Sequence, residues 1–220
     1  MSHVFPRHTR DEVPKAIYGE GCYLIDDSGK RYFDGSGGAA VSCLGHSDQE
    51  IITAIQEQVG TLAFAHTRFF TSDPTEKLAN LLVENAPDKI DQVYFVSGGS
   101  EAVEASIKLS KHATKRNNII VFQGSFHGIN SYGGIITDRS GPVKHRLNGF
   151  PGSYWKPLNN PVIKYKDGKE IINNDLVDSV LQEVENIILE ENNVCAILVE
   201  PIQCTSGDYY FPDKFFDGIR

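Results

Sequence analysis

The chain has 220 residues, 40% of them hydrophobic and 23% charged, with a formal net charge of −8. That length allows one large domain or one and a half, and the composition is that of a globular chain with a core to bury. The acidic balance, with no lysine–arginine run, argues against a nucleic-acid partner, and no apolar run approaches the roughly 18 residues of a membrane span.

In chain order, "GCYLIDDSGKRYFDGSGG" gives two short strands around Asp27-Ser28-Gly29-Lys30, a hairpin turn signal. "SDQEIITAIQEQVGTL" gives a helix with Ser47 as N-cap and Glu50 completing a capping box. Ile51, Ile52, Ile55 and Val59 make its apolar face. A second cap, Ser72 or Asp73, precedes Pro74 and a helix through Leu78, Leu81 and Leu82. "FAHTRFFTSD" clusters Phe64, Phe69 and Phe70 beside Arg68 without a helical period, as a core loop or an interface.

From residue 92 strands and helices alternate. "QVYFVS" is expected as a strand, "GSEAVEASIKLSKHAT" as a helix, "NIIVFQG" as a strand, and a helix or loop follows from about residue 127. Residues 141–170, rich in Gly, Pro and Asn, are expected to be a long irregular excursion. "NDLVDSVLQEVENIILEE" is a long helix, "VCAILVE" a strand, and "PDKFFDGIR" the opening of another helix. The alternation implies an α/β fold, a mainly parallel sheet covered on both faces in three layers, preceded by an N-terminal hairpin arm. A helix that starts at Pro212 and meets the last residue, Arg220, about two turns later leads to the expectation of a larger parent protein.

The cysteines Cys22, Cys43, Cys195 and Cys204 are scattered, with no Cys-x-x-Cys and no zinc-type Cys/His spacing, so no metal site is read and a reducing compartment is expected. "MSHVFPRHTRDEVPK" has no apolar core for a signal peptide, and a soluble cytoplasmic protein is expected.

Three stretches carry candidate chemistry. Ser97-Gly98-Gly99-Ser100-Glu101 joins a strand to a helix, leaving first-turn N–H groups and the helix dipole for an anion. Taken alone, the stretch fits a tight turn with Ser100 as a plain N-cap and no ligand slightly better. It is neither a Walker loop nor a full Gly-x-Gly-x-x-Gly. "FQGSFHGIN" puts Phe126 and His127 at the carboxyl edge of the sheet, where open α/β sheets bind ligands. There Phe126 stacks on a planar ring and His127 hydrogen-bonds, or else Phe126 is core and His127 surface. "AILVEPIQ" ends a strand on Glu200, a carboxylate that has a polar partner or is simply solvated.

Together, in order and each after a strand, Ser-Gly-Gly-Ser-Glu-Ala, Phe-His-Gly and Glu-Pro-Ile-Gln resemble the class III aminotransferases, fold-type-I pyridoxal-phosphate enzymes. "YLIDDSGKRYFDGSGGAAVSCLGHSD" resembles that family's N-terminal hairpin and Leu-Gly-His, so the resemblance runs from about Gly21 to Arg220. It implies pyridoxal 5′-phosphate as cofactor, its phosphate on Gly99 and Ser100, its ring stacked on Phe126 with His127 beside it, and Glu200 ordering the site. It implies amino transfer from an amine or amino acid to a 2-oxo acid, in a homodimer. Residues 1–69 then correspond to an N-terminal segment of hairpin and helix belonging to the small domain, and residues 70–220 to part of the cofactor-binding large domain.

Two family groups have no counterpart here: the aspartate of an Asp-Glu-x-Gln motif, and the lysine that forms the Schiff base. Lys108 and Lys111 lie on the helix after the phosphate turn instead. The resemblance therefore implies no catalytic residue within this chain and an inactive fragment by itself. In "QCTSG", Cys204 replaces a family glycine, and Thr205 stands where some members have a glutamate that gates the substrate pocket. A non-catalytic scaffold chain, or an aminomutase, racemase or decarboxylase on the same fold, is the alternative.

Overall fold

The structure, a computed structural model, describes residues 3–5, 12–137 and 155–220, which fall into two units, 1–93 and 94–220.

In the first unit β1 (Ala16–Glu20), β2 (Tyr23–Asp26) and β3 (Arg31–Phe33) make an antiparallel meander. The expected hairpin is β2–β3, with Tyr23 opposite Phe33 and Ile25 opposite Arg31; β1 is an addition. Asp26 builds the turn. Its Oδ1 accepts the Ser28 hydroxyl at 2.6 Å and the Ser28 and Lys30 amides at 2.9 Å, and its Oδ2 accepts the Tyr32 hydroxyl at 2.8 Å. The Ser28 hydroxyl foremost, then Tyr32 and the two amides, outweigh partial desolvation and hold this carboxyl down at about 2.

After a single turn, α1 (Gly37–Ala40), come α2 (Gln49–Thr61) and α3 (Asp73–Glu84). Asp34 gathers the segment around α1, accepting the Ser42 hydroxyl at 2.9 Å and the Gly37 amide at 3.1 Å, with His46 Nε2 at 2.8 Å. The expected capping box is not formed. Asp48 is the N-cap of α2 and accepts the Ile51 amide at 3.0 Å, while Ser47 Oγ accepts the Gly21 amide at 3.0 Å. A tertiary bond to the meander thus takes the hydroxyl that local pattern assigned to the helix. Ser72 sits at the N-cap of α3, but its hydroxyl meets Thr75 Oγ1 at 2.8 Å and caps no amide. Neither helix has a buried residue.

In the second unit α4 (Gly99–Thr114) leads to β4 (Asn118–Phe122), then α5 (Ser131–Ile136) and β5 (Trp155–Leu158). The strands β6 (Lys164–Lys166) and β7 (Lys169–Ile171) form a small hairpin. The long helix α6 (Asn174–Glu191), capped by Asn173 on the Leu176 amide, precedes β8 (Val194–Ile197). The chain continues with β9 (Ile202–Gln203), α7 (Cys204–Gly207), β10 (Tyr209–Tyr210) and α8 (Asp213–Ile219).

The sheet is parallel, in the order β5-β4-β8. Successive residues of a strand face opposite sides, and in β4 both sides are buried. Ile120 and Phe122 pack with Val177, Val180, Val184 and Phe215 on one face. Ile119 and Val121 pack with Ile107, Ile135 and Ile136 on the other. The three-layer α/β expectation therefore holds: α6 and α8, the sheet, then α4 and α5.

Two expectations are corrected. "QVYFVS" is not a strand, because no strand among the described residues pairs with it, and Tyr94 is 81% exposed; an apolar run becomes a strand only beside a partner. The excursion at 141–170 is not wholly irregular, since β5 and β6 lie in it and β7 begins in it. β5 is recruited by β4, with Ile119 opposite Trp155 and Phe122 opposite Leu158. Residues 141–154 of that expectation lie outside the described residues.

Candidate active site

The glycine turn ends as a helix start. Gly98 is the N-cap of α4, no side chain caps the first-turn amides, and Glu101 reaches back to accept the Ser97 amide at 2.8 Å. A Cβ added at Gly98 or Gly99 would meet nothing within 4 Å, and neither backbone is left-handed. The described chain itself does not demand glycine at either place. What the two glycines create is open space before a helix N-terminus, a position suited to a phosphate.

The second motif closes on the first. Ser100 Oγ accepts the Ile129 amide at 3.2 Å, which leaves its hydroxyl hydrogen free to donate elsewhere. Gly128 has φ +114°, and a Cβ there would stand 2.8 Å from Ser100 Oγ, so only glycine lets the loops meet so closely.

The third motif closes on the second. Glu200 Oε2 accepts the Phe126 amide at 2.8 Å. Burial pushes the Glu200 carboxyl up, partly offset by that amide. Glu200 therefore has the polar partner that its strand-end position suggested. Phe126 is half-buried beside it.

His127 is not at the surface, one of its two sequence readings: it is 4% exposed. Its amide donates to Thr137 Oγ1 at 2.9 Å, and Nε2 has no partner among the described residues. Burial lowers it to about 4, so the imidazole is neutral near pH 7.

Thr205 is half-buried on α7. Around it lie groups that sequence reasoning passed over. Gln203 is wholly buried; its Nε2 donates to the Gln123 carbonyl at 3.2 Å and its Oε1 accepts from Asn160 Nδ2 at 2.6 Å. The Ser206 hydroxyl donates to the Gly124 carbonyl. Gln203 stood only as the last residue of Glu-Pro-Ile-Gln, and Asn160 lay in a segment expected to be irregular, so no local signal paired them. Among the described residues no group of His, Cys, Asp and Glu is arranged to hold a metal ion, and no helix is long and apolar enough to cross a membrane.

The second unit is a three-layer α/β unit in which the glycine turn, Phe126 and Glu200 are brought together by hydrogen bonds between their loops. The chain belongs to the class-III aminotransferase family, whose model matches residues 9–220. It is 31% identical to an uncharacterised aminotransferase of Schizosaccharomyces pombe, over 97% of this chain and 49% of that protein. It is 30% identical to the acetylornithine aminotransferase of Methanopyrus kandleri, over 93% of this chain and 46% of the relative. The chain thus spans about half the length of the curated relatives it matches. Among solved structures it resembles an (S)-enantioselective omega-transaminase from Thermomicrobium roseum, with TM-score 0.84 and 30% identity over 99% of this chain and 51% of the other. It also resembles the taurine:2-oxoglutarate aminotransferase of Bifidobacterium kashiwanohense, solved with PLP and glutamate, with TM-score 0.85 and 28% identity over 98% and 49%.

Proposed function

We propose that this chain carries the cofactor-binding part of an aminotransferase that moves an amino group from an amine or amino acid to a 2-oxo acid with pyridoxal 5′-phosphate. One observation carries the reading. The three motifs converge through two backbone bonds, Ile129 N–H to Ser100 Oγ at 3.2 Å and Phe126 N–H to Glu200 Oε2 at 2.8 Å.

Pyridoxal phosphate, when bound, supplies an electron sink for proton and amino-group chemistry at the substrate carbon. The residues of this chain bind and orient. The first-turn amides of α4 and the Ser100 hydroxyl would hold the phosphate, with Gly99 giving room for it. The Phe126 ring would stack on the pyridine ring and shield it from water. Glu200 holds the Phe126 backbone amide, and the neutral His127 is buried next to it in the chain, tied by its own amide to Thr137. None of the chain's lysines stands in the family's Schiff-base context, so its part is binding rather than covalent chemistry. Thr205, uncharged, leaves a substrate carboxylate free to use any cation at the gate. The exposed Phe64, Phe69 and Phe70 are the surface we assign to homodimer contact.

A racemase on the same scaffold is the second reading. It is favoured by 28% identity to the alanine/serine racemase of Pyrococcus horikoshii over 94% of this chain.

Titration of the chain with pyridoxal 5′-phosphate, followed by absorbance and circular dichroism, tests the cofactor reading. Saturable binding is expected, weakened about tenfold in Ser100→Ala and in Phe126→Ala, each an interaction worth about 1.4 kcal/mol. No saturable binding, or binding indifferent to both changes, overturns it. Borohydride reduction with peptide mapping should give no dominant lysine adduct; a stoichiometric one refutes the division of labour.

A further inference from the structure

We propose that Gln203 is the positioning residue of this site, holding Phe126 and the Thr205 turn in register through its side-chain amide; the functional part of this inference rests on the cofactor reading above.

Gln203 is 0% exposed. A buried amide is costly unless both ends are bonded, and here both are. Nε2 donates to the Gln123 carbonyl at 3.2 Å, and Oε1 accepts from Asn160 Nδ2 at 2.6 Å. The amide can sit only one way round, because a backbone carbonyl accepts and never donates. Its two partners belong to different strand ends. Gln123 directly follows β4 and begins the loop to Phe126, and its own amide donates to the Leu158 carbonyl at the end of β5 at 2.9 Å. Asn160 lies just beyond β5. Gln203 itself ends β9, and its carbonyl accepts the Asp208 amide at 3.1 Å, closing the α7 turn that carries Thr205. One side chain therefore ties the loops after β4 and β5, neighbours in the sheet, to the segment after β8. Glu200 and Ser206 tie the same two segments at Phe126 and Gly124, on either side of buried Ser125. The loop bearing Phe126 is thus fixed at three successive points, and only the Gln203 bond also reaches the β5 loop.

A filler role would need only the volume of Gln203. A positioning role needs a donor at one end and an acceptor at the other. Gln203→Met keeps the volume and removes both. Gln203→Glu keeps the acceptor and regains a donor only when protonated. The titratable groups near that carboxyl are Glu200, Cys204 and Asp208 on its own segment, while Gln123, Gly124 and Asn160, facing it from the other loops, are neutral. Val180→Ala, in the α6 layer, serves as a control for general loosening of the unit.

Hydrogen exchange at the Phe126 amide and pyridoxal phosphate affinity are measured on the same chains. In Gln203→Met we expect exchange at Phe126 to rise about tenfold or more, and affinity to fall about tenfold, a change of about 1.4 kcal/mol. Val180→Ala should lower thermal stability without either change. Gln203→Glu should resemble the Met variant near pH 8 and recover toward wild type by about pH 6, as a buried carboxyl takes up its proton. Wild-type exchange at Phe126 in Gln203→Met, equal loosening in Val180→Ala, or no recovery in Gln203→Glu overturns the inference. If the wild-type chain binds no pyridoxal phosphate while Phe126 exchange follows the expected pattern, the cofactor reading fails and the positioning role stands.

Discussion

The two units share one kind of sequence pattern and use it differently. Helix α2 carries Ile51, Ile55 and Val59 on one stripe, as α6 carries Val177, Val180 and Val184. In α6 those residues are buried to within a few per cent; in α2 none is, and Val59 is 60% exposed. Every buried hydrophobic residue among the described ones lies between Ile107 and Phe215, in the second unit. In the first unit the sole buried residue described is the polar Asp26, satisfied by its own hairpin. Amphipathic spacing therefore forms a helix wherever it occurs, but it yields a core only where a sheet face meets the stripe. The second unit has that face and is held by apolar contact. The first is held, within the described residues, by hydrogen bonds at Asp26, Asp34 and Asp48.

That contrast can be broken most directly at the aromatic cluster. Phe215 stacks on Phe211 at 4.7 Å between centroids and meets Phe122 edge-on at 5.1 Å. Phe215→Ala should cost the second unit about 3–5 kcal/mol by urea denaturation. The matching Leu81→Ala in exposed α3 should stay within about 0.5 kcal/mol. Equal losses would mean that the first unit has a core of its own.

Acid should then separate the units in two windows. His127 is held to about 4 by burial, below its ordinary 6.5. The unfolded chain takes up this proton first, so the second unit loses stability as pH falls from about 6.5 towards 4. His127→Gln should flatten that slope in pH-dependent melts followed on the second unit. Asp26, at about 2 rather than 3.8, has linkage of the same sign in a lower window. Its contribution is complete above pH 4 and fades as pH falls towards 2. Chemical shifts of Ser28 and Lys30 should therefore hold through the first window and move in the second; in Asp26→Asn they should move in neither.

The smallest effect concerns the cap of α2. Asp48→Ala should cost that helix about 1 kcal/mol, read as lost amide protection at Ile51. Ser47→Ala should leave Ile51 protection unchanged and free the Gly21 amide. A reversed ranking would restore the capping box that the sequence pattern suggested.

The sequence by itself determined the elements whose signals are local. The β2–β3 hairpin followed from Asp27-Ser28-Gly29-Lys30, and α4 and α6 from apolar periodicity. The parallel three-layer unit followed from strand–helix alternation. Phe126 and Glu200 follow strands β4 and β8 within a few residues, as their motifs suggested, while Gly99 and Ser100 open α4 without the preceding strand that the apolar run implied. Only the tertiary structure decided what depended on a distant partner. Tyr94–Val96 has a strand's composition and pairs with no strand among the described residues. Ser47 gave its hydroxyl to Gly21, 26 residues away. His127 went inward rather than to the surface, and Gln203 found Asn160, 43 residues away, and Gln123, 80 residues away. The physical reason is common to all four. A hydrogen-bonding group or an apolar strand takes whichever partner the folded chain brings within about 3–5 Å, and sequence spacing records only the partners a few residues away.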